Sequence, residues 1–170
     1  MRIIHILLVC ILLTHAACGQ EDDKPVLLIN PTVHTGSGEV YDNAALAYAG
    51  ETITLLADAR LIRLDMSAYA VVEAYGLHVY PAAVTDTLPE EADQAFFYLP
   101  LAGNSKFLLC SPGPVNDYPV LSLLQEGEEA TFVVTDGPLD ENSSKIRYLV
   151  IKGRLKRESG QALLKLASER

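Results

Sequence analysis

Apolar residues come in short runs of about four to eight, the length of strands, separated by Gly-, Pro- and acid-rich breaks. Val26 to Ile29 opens the series, and Thr32 to Thr35 extends it past Pro31, which lacks a ladder donor and marks an edge or bulge. Gly36-Ser37-Gly38 predicts a turn, because glycine accepts positive φ without steric cost. Strands follow at Ala44 to Tyr48 and Thr52 to Leu56 around Ala49-Gly50-Glu51, then at Val71 to Ala74 and His78 to Val84 around Gly76. Asp58 to Ala70 fits either a helical turn or a loop. Ala95 to Leu99 and Phe107 to Cys110 read as a hairpin, and Val120 to Leu124 is a short apolar run. After the turn Gln125 to Glu129 come Ala130 to Thr135 and Ile146 to Ile151, the latter turned at Lys152-Gly153 into Arg154-Leu155. Ala162, Leu163, Leu166 and Ala167 form one stripe at helical spacing, which predicts a C-terminal α-helix over Ser159 to Ser168. The expected fold is mostly β: a sandwich or pseudo-barrel of short strands with that one helix.

The first residues have a different pattern. Arg2 precedes an apolar run, Ile3 to Leu13, broken only by His5. That run is too short to span ~30 Å of hydrocarbon as a helix and fits the h-region of a signal peptide over residues 1–17. Ala16-Ala17 then precede Cys18, which resembles the lipobox of bacterial lipoproteins, with Cys18 as the lipidated residue; His15 departs from the aliphatic residue usual there. The alternative is an ordinary secreted chain cut near Ala17. Residues 18–25 include Glu21-Asp22-Asp23 and read as a flexible acidic tether. This stretch resembles the tether of surface-exposed Gram-negative lipoproteins, and Gly19 after the cysteine argues against inner-membrane retention. The expected address is the outer membrane, surface-facing or periplasmic, with the lipid anchor as the membrane contact. Residues 26–170 form one domain by length.

Charge narrows the partners. The formal net charge is −9, and loss of Arg2 with the leader takes it to −10. Nucleic acid is disfavoured, because phosphate neutralisation needs Lys and Arg, and so is electrostatic docking on anionic lipid. The chain has 3 cysteines. With Cys10 removed and Cys18 acylated, Cys110 is alone, which excludes an intramolecular disulfide and a Cys-x-x-Cys zinc site.

Two stretches together resemble the amidohydrolases of the imidazolonepropionase-like kind. The first is Ile29 to Val84, with Thr32-Val33-His34-Thr35-Gly36-Ser37-Gly38-Glu39-Val40, then Asn43, then Gly50 before Ile53, and at its end Val71-Val72-Glu73-Ala74-Tyr75-Gly76-Leu77-His78-Val79-Tyr80-Pro81. The second is Leu124 to Arg154, with Glu126-Gly127-Glu128-Glu129-Ala130-Thr131-Phe132-Val133-Val134, Asp136-Gly137-Pro138-Leu139-Asp140 and Val150-Ile151-Lys152-Gly153-Arg154. They cover a little over half of the chain from Cys18. The resemblance implies that these are the arms leading into and out of a catalytic barrel, paired into a composite β-sandwich. A (β/α)₈ barrel takes ~250 residues, whereas only residues 85–123 separate the arms. The family's His-x-His metal motif is replaced by Ala82-Ala83-Val84-Thr85-Asp86-Thr87-Leu88, and the last histidine of the chain is His78. The barrel and its metal site are therefore expected to be missing, with no cofactor and no catalytic residue to name.

Other candidates have structural alternatives. His34 and His78 are imidazoles suited to ligation or base catalysis, but the resemblance puts them in the sandwich, as structural or surface residues. Cys110-Ser111 on a turn suggests a nucleophile, against a buried free thiol. Asp86, Glu90, Glu91 and Asp93 offer oxygens to Ca²⁺ but lack calcium-loop spacing, which favours a solvated acidic loop. Tyr41, Tyr48, Tyr69, Tyr75, Tyr80, Tyr98, Tyr118 and Tyr148 offer an aromatic strip or sheet packing. Asn142-Ser143-Ser144 matches a glycosylation sequon but reads as loop. Lys152-Gly153-Arg154-Leu155-Lys156-Arg157 is the one basic cluster, a docking patch for an acidic partner or a solvated turn.

The expected function is that of a non-catalytic envelope lipoprotein, an accessory to a complete amidohydrolase. The alternatives are a residual metal-dependent hydrolase acting on C–N bonds and a decayed remnant of such an enzyme.

Overall fold

The computed structural model describes residues 24–88, 96–101, 105–113, 123–139, 144–156 and 164–165. The signal segment, Cys18 and the tether up to Asp23 lie outside them. The described part is mostly β, in two mixed sheets, with a single 3-10 turn at Met66–Ala68 and no α-helix among the described residues.

The smaller sheet has the order β5-β4-β1-β6, built from β1 (Val26–Ile29), β4 (Ala44–Ala49), β5 (Thr52–Asp58) and β6 (Ala70–Glu73). β1 and β4 are antiparallel, whereas β1 and β6 are parallel. Alternation sends Leu28, Ala44, Leu46 and Tyr48 to the inner face and Leu27, Ala45 and Ala47 to the outer one. The segment predicted as helical turn or loop lies over that outer face with Ala59, Ile62, Leu64 and Tyr69. Asp65 caps its 3-10 turn, accepting from the Ser67 backbone N–H at 3.0 Å.

The larger sheet runs β12-β11-β10-β7-β9-β8-β13. Its strands are β7 (His78–Thr85), β8 (Phe97–Pro100), β9 (Phe107–Cys110), β10 (Phe132–Thr135), β11 (Ile146–Ile151), β12 (Arg154–Lys156) and β13 (Leu164–Lys165). β2 (Thr32–His34) pairs with β7 in parallel and with β3 (Val40–Tyr41) in antiparallel. Residues 85–123 thus contribute the predicted hairpin, β8 and β9, to the larger sheet through β7 and β9.

Pro31 does not lie within one long strand. Asn30, at φ 66°, and Pro31 carry the chain from the smaller sheet to the larger one, the Pro31 carbonyl accepting from Ala44 N–H at 2.9 Å. A residue without an amide donor fits a crossing where neither ladder needs one.

The predicted C-terminal helix is also corrected. Leu164 and Lys165 form a strand against Tyr98 and Phe97; the rest of the Ser159 to Ser168 stripe lies outside the described residues. An open β8 edge supplies backbone partners that outweigh a weak local helical preference.

The two sheets meet at a core that includes Leu28, Leu46, Tyr48 and Ile53 from one side and Val33, Val79, Phe132, Val134 and Val150 from the other. Val133 and Leu149 face away and pack with Phe97, Leu99, Leu108 and Cys110 of the hairpin. β10 is therefore buried on both faces, as its unbroken Phe-Val-Val run requires.

A backbone seam closes the end of the structure near Lys24. Ile53 N–H donates to Glu128 O at 2.9 Å, Gly127 N–H to Ile53 O at 2.9 Å, Ala130 N–H to Glu51 O at 2.8 Å and Gly153 N–H to Ala130 O at 2.9 Å. Thr131 Oγ1 donates to Glu129 Oε1 at 2.6 Å and accepts from Lys152 N–H at 3.0 Å. The β11–β12 turn has positive φ at both Lys152 (49°) and Gly153 (68°), the type I′ requirement. A Cβ on Gly153 would lie 1.5 Å from the Gly50 carbonyl oxygen, backbone that cannot rotate aside.

Gly153→Ala is expected to cost about 3 kcal/mol or more, the scale of strain at a special backbone position, measured by urea unfolding; a loss below about 1 kcal/mol, ordinary for a surface site, would contradict this contact. The Tyr48 hydroxyl is buried and has no hydrogen-bond partner among the described residues. Tyr48→Phe keeps the ring and removes that orphan, so the same measurement should find stability unchanged or raised by about 1 kcal/mol.

Candidate functional site

Pairing of β2 with β7 brings together the two histidines that lie 44 residues apart in the chain. The register sets Thr32 against His78 and Val33 against Val79. With Val33 and Val79 turned into the inter-sheet core, period-two alternation puts His34, His78 and Tyr80 on the opposite face. His34 stacks on Tyr80 with ring centres 4.3 Å apart and planes 11° from parallel. His34 and His78 have centres 5.5 Å apart, and His34 Nε2 lies 3.2 Å from His78 Nδ1. Tyr80 is buried, its hydroxyl accepting from Leu139 N–H at 3.0 Å, which fixes the platform under His34.

Burial, and then the neighbouring His78, push the His34 pKa down to about 4, while Asp42 pulls the other way. His78 is lowered too, chiefly by burial and against Asp42. Both rings are thus neutral at pH 7, and an N–H···N bond needs one ring to donate and the other to accept. This bond occupies the facing nitrogens of both imidazoles. Among the described residues, no three His, Cys, Asp or Glu side chains come close enough together to hold a metal ion.

The other candidates stay apart. Cys110 is a free, buried thiol that donates to the Phe97 carbonyl at 3.6 Å, and burial raises its pKa, which suppresses the nucleophilic thiolate. Ser111 is buried, its Oγ accepting from Gly113 N–H at 3.3 Å. Asp86 is described; Glu90, Glu91 and Asp93 lie outside the described residues, as do Tyr118, Asn142, Ser143 and Arg157. Ser144 is buried and donates to the Pro138 carbonyl. The described tyrosines are spread over separate clusters: Tyr48 belongs to the inter-sheet core, with Tyr41 and Tyr148 packed against it, Tyr80 to the core under the hairpin, Tyr98 to the cluster of Leu109, Tyr69 to the outer face, and Tyr75 is 83% exposed. Lys152 and Arg154 of the basic cluster meet Lys24 at a cleft beside the seam.

The contact between the two imidazoles is not legible in the sequence. No local motif joins them, and only the β2–β7 register could have done so. Lys24 and Tyr48 were likewise not associated with the basic cluster.

Because His34 has its pKa lowered from 6.5 to about 4, the unfolded chain binds a proton there before the folded one does. The stability this imidazole contributes is present above pH 6.5 and is lost as pH falls from 6.5 towards 4. The unfolding temperature should fall across that window, and His34→Gln should flatten the slope there; an equal slope in parent and variant would place the titration elsewhere.

No protein-family model matches the chain, and neither does any curated protein or solved structure compared with it.

Proposed function

We propose that this chain is a non-catalytic binding module of the cell envelope, anchored through Cys18, whose composite β-sandwich resembles that of amidohydrolases and serves as an accessory to a complete amidohydrolase. One observation carries this function: the two arms that resemble the approach to and exit from a catalytic barrel pair directly with each other. β7 of the first arm aligns with β10 of the second from His78↔Thr135 to Pro81↔Phe132. Leu124 N–H, at the start of the second arm, donates to Thr35 O of the first at 2.9 Å.

The surface favours recognition through backbone over burial of a broad apolar face. Val40, Leu61, Met66, Val71, Tyr75 and Leu155 are exposed but sit on separate segments. β6, in contrast, is an edge strand without Lys or Pro, with Ala70, Val71 and Glu73 exposed. The Ala70 and Ala74 amides bond inward to Pro25 O and Ile29 O at 2.9 and 3.0 Å. Alternation therefore turns the Val71 and Glu73 amides outward, where an extended segment of a partner can add a strand. The opposite edge, β5, is already covered by residues 126–129 through Ile53 and Thr52.

Pull-down of the lipidated protein from its own membranes, with mass spectrometry and metal analysis of the eluate, tests this function. A stoichiometric complete amidohydrolase carrying the metal is expected, with recovery reduced by Val71→Pro, which breaks the outward edge. A transition metal that stays with this chain alone would overturn the proposal.

A further inference from the structure

A cleft of about 400 Å³ lies beside the seam, between the β4–β5 and β11–β12 turns. Lys24, Lys152 and Arg154 reach it from two distant parts of the chain, in a protein of net charge −9. Glu51 is the one carboxylate in its wall, and Glu129 stands against Lys152 from outside it, so the cations here exceed the carboxylates by one. Lys152 Nζ also lies 3.7 Å from Glu129 Oε2, an exposed pair of little strength. Lys24 Nζ donates to the Ser67 carbonyl at 3.2 Å, and Arg154 has no carboxylate partner among the described residues. The wall also contains Tyr48, whose ring is turned into the inter-sheet core against Phe132.

We infer that this cleft binds a phosphate monoester group. The charge favours an anion, and a phosphate monoester, at about −1.5 to −2 at neutral pH, draws on the three cations more strongly than a carboxylate does. Its three free oxygens accept from the Arg154 fork and the lysines. The negative charge of the whole chain does not cancel the site, because screening limits repulsion to about 8 Å at physiological salt. Two sources offer this group, a soluble phosphomonoester and a lipid headgroup. The headgroup source rests on the anchor at Cys18: Lys24 is six residues on, so the cleft lies within about 20 Å of the bilayer, by the reach of an extended chain. Binding as such rests on the cleft alone.

The test uses the full mature chain with Cys18→Ser, titrated with inorganic phosphate at physiological ionic strength and followed by calorimetry. Saturable binding is expected, weakened about tenfold or more by Arg154→Ala, the loss of a charge-assisted contact, and weakened by Lys24→Gln, with unfolding temperatures no lower than the parent's. Flotation with phosphatidylcholine vesicles, with and without phosphatidic acid, separates the sources. Retention only on phosphatidic acid, lost in Arg154→Ala, assigns the headgroup, and phosphate binding without retention assigns the soluble ester. No saturable phosphate binding by the parent, or parent-like binding by both variants, overturns the site.

Discussion

The fold depends on a close approach of main chain to main chain. Where the β4–β5 turn meets the β11–β12 turn, Gly153 leaves no space for a side chain against the Gly50 carbonyl. That contact lets the segment from Gly127 to Ala130 bond to β5 on one side while Ala130 accepts from Gly153 on the other. The two sheets are thereby linked by directional bonds as well as by the apolar layer between them. Apolar packing sets how near the sheets come; the seam sets their relative register. A core of Leu, Val and Phe tolerates small slips, but a ladder of amides at 2.8–2.9 Å does not.

Most strands were legible because their signals are local. Val26 to Ile29, Ala44 to Tyr48, Phe107 to Cys110 and Ile146 to Ile151 are apolar runs bounded by Gly, Pro or acids, and each is a strand within one or two residues. The Lys152-Gly153 turn was legible for the same reason. Leu164-Lys165 was not, because a stripe of Ala and Leu at helical spacing says nothing of an unpaired strand edge elsewhere. The sheet change at Asn30-Pro31 was also hidden: proline marks a discontinuity but not its direction. As for sites, the isolation of Cys110 could be read from its apolar run, whereas the His34–His78 pair and the Lys24–Tyr48–Arg154 cleft arise from contacts between distant segments.

Burial changes the character of the ionisable side chains more than their number does. The imidazoles are held neutral and the one described thiol is held protonated, so residue types that often carry catalysis are used as packing and hydrogen-bonding elements. At the surface, Arg60 instead holds Asp58 ionised through side-chain and backbone hydrogen bonds, its pKa lowered to about 2. Among the described residues, the thiol is buried and the imidazoles half-buried, while the Arg60–Asp58 pair stands at the surface.

β7 is divided along its length. Its first half, His78 to Pro81, holds β10, with β2 against His78 and Val79; its second half, Ala82 to Thr85, holds β9 and through it β8 and β13. The backbone ladder of the hairpin side can therefore open at Ala82 and leave the pairs before it intact, at the cost of the packing on Val133 and Leu149. The described strands of this sheet thus form two ladders joined by one strand and coupled through the apolar face of Val133 and Leu149. Such a junction also lets the hairpin side change in length without shifting the register of β7 on β10.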